Sequence, residues 1–433
     1  MRTIMNVLWL LILFLLHVSA VLSEEELQFV SVVIRHGARS PVESYPADRY
    51  QEDFWPQGFG QLSIKGMREE YHLGTVFKSR YLDTGFMDSG YNRSQIYVRS
   101  TDYDRTLMSA QCVLAGMYPP GENQMFDPDL EWQPIPVHTT PQKYDSLLNV
   151  ASCPVYDKLM DKDNNTYKQI QDANQELFDN LTEWTGEDIN VITVGLLKDA
   201  LFVEYHDNNL TMPEWFSPQL LTKLESIDDS LLRLMFSTKC KRKLTGGVWT
   251  NRVLKDMQNK ATGVMPDMKM VLYSAHDTTV ATMLSVFDMF DGKQPPYSAA
   301  FAVELYSSGS SKNDFFVRFY YHNETDSNDF VELTHPNCSK DCPLEKLKQI
   351  MAPYRLTEKE WSSSCSTTTA PTSSPTLAPS NDIEMWLVIA LCITSGILIL
   401  LILILLAFMT KVCCCGRKKR MYVALNNQDT EAT

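Results

Sequence analysis

Along this chain an apolar, β-branched run leads three times straight into a polar turn and then into a segment of helical period. Leu27–Ile34 (LQFVSVVI) precedes RHGARSP, and Gln95–Val98 precedes RSTDYDRT and a helix through Leu107, Met108 and Val113. Met268–Tyr273 precedes SAHDTTVATMLSVF. Repeated strand-to-helix alternation predicts an α/β sheet under helical cover. In open sheets of this kind ligands sit beyond the carboxyl ends of strands, which is where each polar turn falls. The stretch 120–243 is rich in Asn, Asp and Trp and reads as helices and loops. It predicts a smaller, mainly helical lobe beside an α/β lobe of residues 24–119 and 244–361. No internal repeat and no metal-ligand spacing occurs.

Two further apolar runs set the expected topology. Arg2, the run Val7–Leu16 and the small residues Ser19, Ala20 and Ser23 follow the pattern of a cleaved secretory signal over residues 1–23. From Met385 to Thr410, 26 residues carry no charge, enough to cross a hydrocarbon core of about 30 Å. Lys411 and Arg417–Arg420 follow it, so the positive-inside rule agrees with the signal in predicting a single-pass type I membrane protein with a cytoplasmic tail, 411–433. Between globule and span, at 362–384, lies a stalk. From Ser362 to Ser380, fifteen of nineteen residues are Ser, Thr or Pro, which cannot build a core.

Chemistry that depends on compartment sorts along the same topology. Sequons at Asn92, Asn164, Asn180, Asn209, Asn323 and Asn337 fall on the expected lumenal side, as do Cys112, Cys153, Cys240, Cys338, Cys342 and Cys365. Six cysteines allow about fifteen pairings, and Cys338 with Cys342 can close only a tiny loop. Cys392 lies in the span. Cys413, Cys414 and Cys415 at its cytosolic edge are candidates for S-acylation, with inert thiols an equal alternative. Tyr422-Val423-Ala424-Leu425 resembles a tyrosine-based sorting signal that a clathrin adaptor would read, and predicts cycling between the plasma membrane and endosomes or lysosomes.

With 39 Lys and Arg against 53 Asp and Glu, the net charge of −14 argues against nucleic acid as a partner. Any phosphate chemistry must therefore be local. The three turns supply Arg35, His36, Arg39, Arg99, Arg105, His276 and Asp277. Guanidinium is always charged and forks two N–H donors onto paired oxygens, which suits a phosphate dianion and a phosphoryl-transfer transition state. A histidine held beside it can be the in-line nucleophile, and a phosphohistidine splits one hard displacement into two easier ones without metal or other cofactor. Asp277 is placed to protonate the departing alkoxide. Single arginines usually serve surface ion pairs, and His72, His138, His206, His322 and His335 are assigned structural roles. The weight lies in R-H-G-x-R-x-P following a buried-type strand, together with Arg99 and the His276-Asp277 pair.

These blocks resemble the histidine acid phosphatases. RHGARSP, YVRSTDYDRTLMSA and YSAHDTTV look like the family's three signatures, and WQPIPVH at Trp132–His138 and PPY at Pro295–Tyr297 are also similar. The resemblance runs from about Leu27 to Cys365 and is greatest to the lysosomal and prostatic type, membrane-spanning forms included. It implies a phosphoglycerate-mutase-like fold, a mixed sheet with helices on both faces. It implies His36 as phosphate-accepting nucleophile, Asp277 as proton donor, and Arg35, Arg39, Arg99 and His276 as phosphate ligands. It also implies Cys153–Cys365 and Cys338–Cys342 bridges, a homodimer, and small phosphomonoesters or phosphoproteins as substrates. The family's third bridge has His206 and residues near Ala300 where cysteines would stand, and Ala38 replaces a common Asp.

Two rivals carry their own signals. Asp102–Thr106 fits D-x-D-x-T, the pattern of a magnesium-dependent aspartyl-phosphate phosphatase, which needs a carboxylate set around the metal. Stalk, span and short tail also suit a catalytically inactive receptor or adhesion ectodomain, against which the intact Arg and His positions argue. A thiol phosphatase is excluded, since no lumenal Cys is followed by Arg six residues later.

Overall fold

The computed structural model describes residues 25–149, 153–161, 164–308 and 314–366. The expected signal peptide, most of the stalk, the apolar run 385–410 and the tail, with Cys392, Cys413–Cys415 and Tyr422, lie outside the described residues. Among the described residues no helix is long and apolar enough to cross a membrane.

Strands β1 (Glu26–Arg35), β2 (Ile96–Thr101), β3 (His138–Thr140), β4 (Met270–Ala275), β5 (Ala300–Ser307), β6 (Phe315–His322), β7 (Val331–Leu333) and β8 (Cys342–Pro343) form one sheet. Their order is β3-β2-β4-β1-β5-β6-β7, with β8 paired to β6. Neighbours from β3 to β1 are parallel, and the pairs from β1 to β5 onward are antiparallel. The helices are α1 (Ile64–Phe77), α2 (Asp104–Met117), α3 (Pro154–Asp161), α4 (Asn164–Ala173), α5 (Gln175–Thr185), α6 (Val194–Phe202), α7 (Pro218–Met235), α8 (Lys239–Ala261), α9 (Asp277–Val286), α10 (Leu344–Met351) and α11 (Glu358–Cys365).

The continuous apolar run of β1 is explained by burial on both faces. Phe29 and Val33 point into a core with Trp249 and Val253 of α8 and Val280 and Leu284 of α9. Val30, Val32 and Ile34, one step out of phase, pack with Leu73 and Phe77 of α1 and Val113 and Met117 of α2. Each such side chain contributes about 1.5–3 kcal/mol by leaving water, so a one-residue slip of this strand is strongly disfavoured. The expected mixed sheet with helices on both faces is what the chain forms.

A separate apolar core joins Phe178 and Leu181 of α5, Val194 and Leu201 of α6, Leu221, Leu224 and Ile227 of α7, and Tyr45 from the loop after β1. These helices thus share an apolar core of their own, whereas part of the stretch 120–243 joins the sheet. β3 pairs with β2, and Leu147, Leu148, Cys153 and Tyr156 pack in the sheet's core, because their apolar side chains find the sheet's flank.

Cys153 is bonded to Cys365 across a separation of 212 residues, linking the start of α3 to the end of α11. Cys338 is bonded to Cys342, and Cys112 and Cys240 are free thiols.

Candidate active site

Parallel pairing brings the polar turns together. Arg35, the last residue of β1, is in register with Ala275, the last of β4, and Ser100 of β2 is level with Ser274. The His36 N–H donates to the Ala275 carbonyl at 3.1 Å, so His36 starts its turn where His276 and Asp277 leave β4. The two imidazoles lie 5.6 Å apart, centroid to centroid. Gly37 has a packing reason. A Cβ there would sit 2.3 Å from the Gly66 carbonyl oxygen, because this turn rests on the backbone of α1.

His36 is buried, and its Nδ1 lies 2.9 Å from the Gly37 carbonyl oxygen. A carbonyl accepts only, so Nδ1 carries the proton and Nε2 keeps a free lone pair. Burial, then the charges of Arg35 and Arg39, hold its pKa well below the usual imidazole value. Burial and Arg105 likewise bring His276 down to about 3. Both rings are therefore neutral in mild acid. His276 Nε2 lies 3.1 Å from Thr101 Oγ1 and its Nδ1 3.5 Å from Arg105 Nη2.

Three guanidiniums surround the rings. Arg35 pairs with Asp277 at 3.1 Å, donates to the Pro295 carbonyl and stacks over Tyr297, 4.2 Å from the ring centroid. Arg39 is gripped by Asp199 of α6, and Arg105 reaches in from the first turn of α2. Burial works against ionisation of Asp277, but the charges beside it, Arg35 first and Arg39 with it, outweigh burial and hold its pKa far below the carboxylate range. With both imidazoles neutral, three cations against Asp199 and Asp277 leave a local charge of +1 in an acidic protein.

Arg99 does not belong to this group. Its Nη2 is bound to Asp145 Oδ1 at 2.6 Å, on the side of β2 where Tyr97 stacks on His138. Arg105 stands against His276 instead, and it is Arg105 that perturbs His36. Arg105, six residues on, therefore stands beside His276 where Arg99 was expected, and Arg99 does not. His36, Asp277, Arg35, Arg39 and His276 do converge.

Of the sequons, Asn180, Asn209, Asn323 and Asn337 are exposed and Asn92 is half-buried. The Asn164 side chain lies outside the described residues. The D-x-D-x-T segment is accounted for by helix initiation. Asp104 is exposed at the first position of α2, and the Thr106 hydroxyl bonds the carbonyls of Thr101 and Tyr103. Among the described residues no group of three or more His, Cys, Asp or Glu could hold a metal ion.

Beside Arg35 opens a cavity of about 480 Å³ whose wall includes Lys198, Phe202, Asp207, Gln294 and Tyr297. A larger groove of about 990 Å³ lies around Arg80 and Glu304 and includes none of the three turns. Asp199, Lys198 and Gln294 carried no sequence signal beyond the nearness of Gln294 to the PPY tripeptide.

The model of the histidine phosphatase superfamily, branch 2, matches residues 26–322. Human lysosomal acid phosphatase is 38% identical over 375 residues, covering 84% of each chain. Bovine prostatic acid phosphatase is 39% identical over 368 residues, 83% of this chain and 92% of that one. Among solved structures, the apo form of Hafnia alvei phytase superposes with a TM-score of 0.60 at 16% identity, covering 78% of this chain and 98% of the phytase, a likeness of fold. With sheet, turns and family model in agreement, the chain belongs to branch 2 of the histidine phosphatase superfamily.

Proposed function

We infer that this protein is an acid phosphatase that hydrolyses phosphate monoesters through a phosphohistidine at His36. The observation that carries the reading is the His36 Nδ1 bond to the Gly37 carbonyl at 2.9 Å, which aims an unprotonated Nε2 among Arg35, Arg39 and Arg105. Nε2 attacks phosphorus in line, forming the N–P bond as the ester P–O bond breaks, and the guanidiniums balance the charge on the phosphoryl oxygens. The leaving oxygen takes a proton from Asp277. Asp277 is ionised in the free protein, because Arg35 and its neighbours favour the carboxylate over the opposition of burial. A bound phosphoryl dianion engages those guanidiniums and adds negative charge, which raises the affinity of Asp277 for a proton in an acidic medium. In the second half, the Asp277 carboxylate takes a proton from water, whose oxygen attacks phosphorus and frees His36.

Leaving-group dependence tests this. An alkoxide needs a proton to leave and a nitrophenolate does not, and general-acid help is worth about 10²–10⁴-fold. Asp277→Asn should slow alkyl phosphates in that range and p-nitrophenyl phosphate appreciably less, while His36→Ala abolishes both. Equal losses in Asp277→Asn remove Asp277 from the acid role.

The sequence supports a lumenal or extracellular catalytic domain anchored by the 385–410 span, with signal peptide, stalk and sugars at the sequons. The relatives named lysosomal acid phosphatase and the Tyr422 tetrapeptide favour the lysosome and endosome, with passage through the plasma membrane and adaptor recognition of the tail. Small phosphomonoesters and phosphoproteins are the proposed substrates, and a homodimer the proposed assembly.

A further inference from the structure

Asp277 is held by one contact that comes from outside the arginine cluster. Gln294, in the loop between α9 and β5, donates from Nε2 to Asp277 Oδ2 at 2.7 Å. Its Oε1 accepts from Lys198 Nζ at 2.7 Å. Lys198 Nζ in turn lies 2.7 Å from Asp228 Oδ2, and the Gln294 backbone N–H donates to Asp229 Oδ1 at 2.9 Å. Lys198 belongs to α6 and both aspartates to α7, so this chain of contacts runs from the helical lobe to the end of β4.

The direction of the chain follows from donor and acceptor chemistry. A carboxamide has one donor edge and one acceptor edge, and the edge turned to Asp277 decides whether the carboxylate is stabilised or repelled. An ammonium has donors only, so Lys198 takes Oε1 and leaves Nε2 to Asp277. Asp228 neutralises the buried Lys198 and fixes where Nζ points.

We propose that Gln294 is a positioning residue for Asp277, and that Lys198 and Asp228 act through it by fixing the orientation of its amide. Asp277 Oδ2 then receives Nε2 of Gln294 and Nη2 of Arg35, while Oδ1 receives the Thr278 N–H at 2.6 Å. The other charged and titratable groups facing it are His36 and Arg39 from the turn after β1, Arg105 from α2, and the adjoining His276. Arg35 is shared with the phosphoryl group, but Gln294 is not. Gln294 therefore keeps the carboxyl group in place while substrate draws on Arg35, and it supports the carboxylate that must take a proton from water in the second half-reaction.

This rests on the acid role of Asp277, so Asp277→Asn is measured alongside. The experiment is the pH profile of kcat/KM for glycerol 2-phosphate and for p-nitrophenyl phosphate in Gln294→Leu, Gln294→Asn, Lys198→Met and the Gln294→Leu/Lys198→Met double variant. A hydrogen bond to a charged group is worth enough to predict about a tenfold loss or more on the alkyl ester in Gln294→Leu, with a smaller loss on the nitrophenyl ester. Losing a donor to the carboxylate also moves the alkaline limb up by about one pH unit. Gln294→Asn, whose amide falls one carbon short, and Lys198→Met change both readouts in the same direction. The double variant is no worse than the worse single one, because both act through one contact. Equal losses on the two esters with an unmoved limb, or additive losses in the double variant, overturn the proposal. If Asp277→Asn itself shows no leaving-group dependence, the acid assignment has failed; if it does and Gln294→Leu does not, only the role of Gln294 has.

Discussion

Asp199 holds Arg39 by both terminal nitrogens, Nη1 to Oδ2 at 2.8 Å and Nη2 to Oδ1 at 2.9 Å, and thereby ties helix α6 to the turn that carries His36. Burial opposes the charge of Asp199, but Arg39 outweighs it and the carboxyl pKa is lowered. A depressed carboxyl pKa contributes stability above the unfolded value of about 3.9 that is lost only as pH falls below it. The clamp therefore survives in the mildly acidic range where an acid phosphatase works.

Breaking one partner of a buried pair costs about 3–5 kcal/mol, so Asp199→Ala should melt well below the parent, by a margin that is similar at pH 7 and pH 5. Inorganic phosphate gives Arg39 another anion to bind. Thermal melts with and without phosphate should show a larger phosphate shift in the variant than in the parent. An equal shift in both would mean that Arg39 does not meet phosphate.

Arg105 and Arg99 separate cleanly. Removing one charged donor from a developing phosphoryl charge costs about 10²–10³-fold, and kcat/KM of Arg105→Ala should fall in that range. Arg99→Ala leaves Asp145 buried without its cation and should lower Tm while changing kcat/KM by less than about tenfold, as expected of a group outside the reacting centre. The reverse pattern would restore Arg99 to the site.

Both active-site imidazoles should stay neutral in mild acid. An ordinary histidine gains its proton near pH 6.5, whereas burial and neighbouring arginines lower His36 and hold His276 at about 3. Nitrogen-15 NMR of labelled histidine side chains, assigned with His36→Ala and His276→Ala, should show neutral rings at pH 5. The unfolded chain takes up these protons below about 6.5 and the folded one does not, so each neutral ring makes stability drop as the pH is lowered through that range. A midpoint near 6.5 for His36 would contradict the low-pKa nucleophile.

Much of this was legible in the sequence, for physical reasons. A strand buried on both faces is apolar at nearly every position, so LQFVSVVI, in which Ser31 is the buried polar exception, reads as a central strand and RHGAR as the turn at its carboxyl end. Arg99 and Arg105 flank the same turn, so the sequence does not say which of them stands beside His276. Only side-chain direction separates them, and that depends on Asp145 and His138, partners 46 and 39 residues away. Asp199, Lys198 and Gln294 enter through contacts that span 160, 96 and 17 residues, which no local pattern encodes. Leu147, Leu148 and Tyr156 pack in the sheet's core for a reason the sequence does not carry, since such residues look alike whether they pack on helices or on a sheet.

The central claim is a phosphoryl group on His36 Nε2, and trapping it is the most direct measurement. Enzyme mixed with phosphorus-32-labelled p-nitrophenyl phosphate at acid pH is quenched in alkali within the first turnover and digested. The account predicts label that is stable in base, labile in acid, confined to the peptide containing His36 and absent from His36→Ala. Label recovered instead only from a parallel sample quenched in acid, lost in base and carried on the peptide containing Asp102 and Asp104, would be an acyl phosphate and would contradict the histidine mechanism outright.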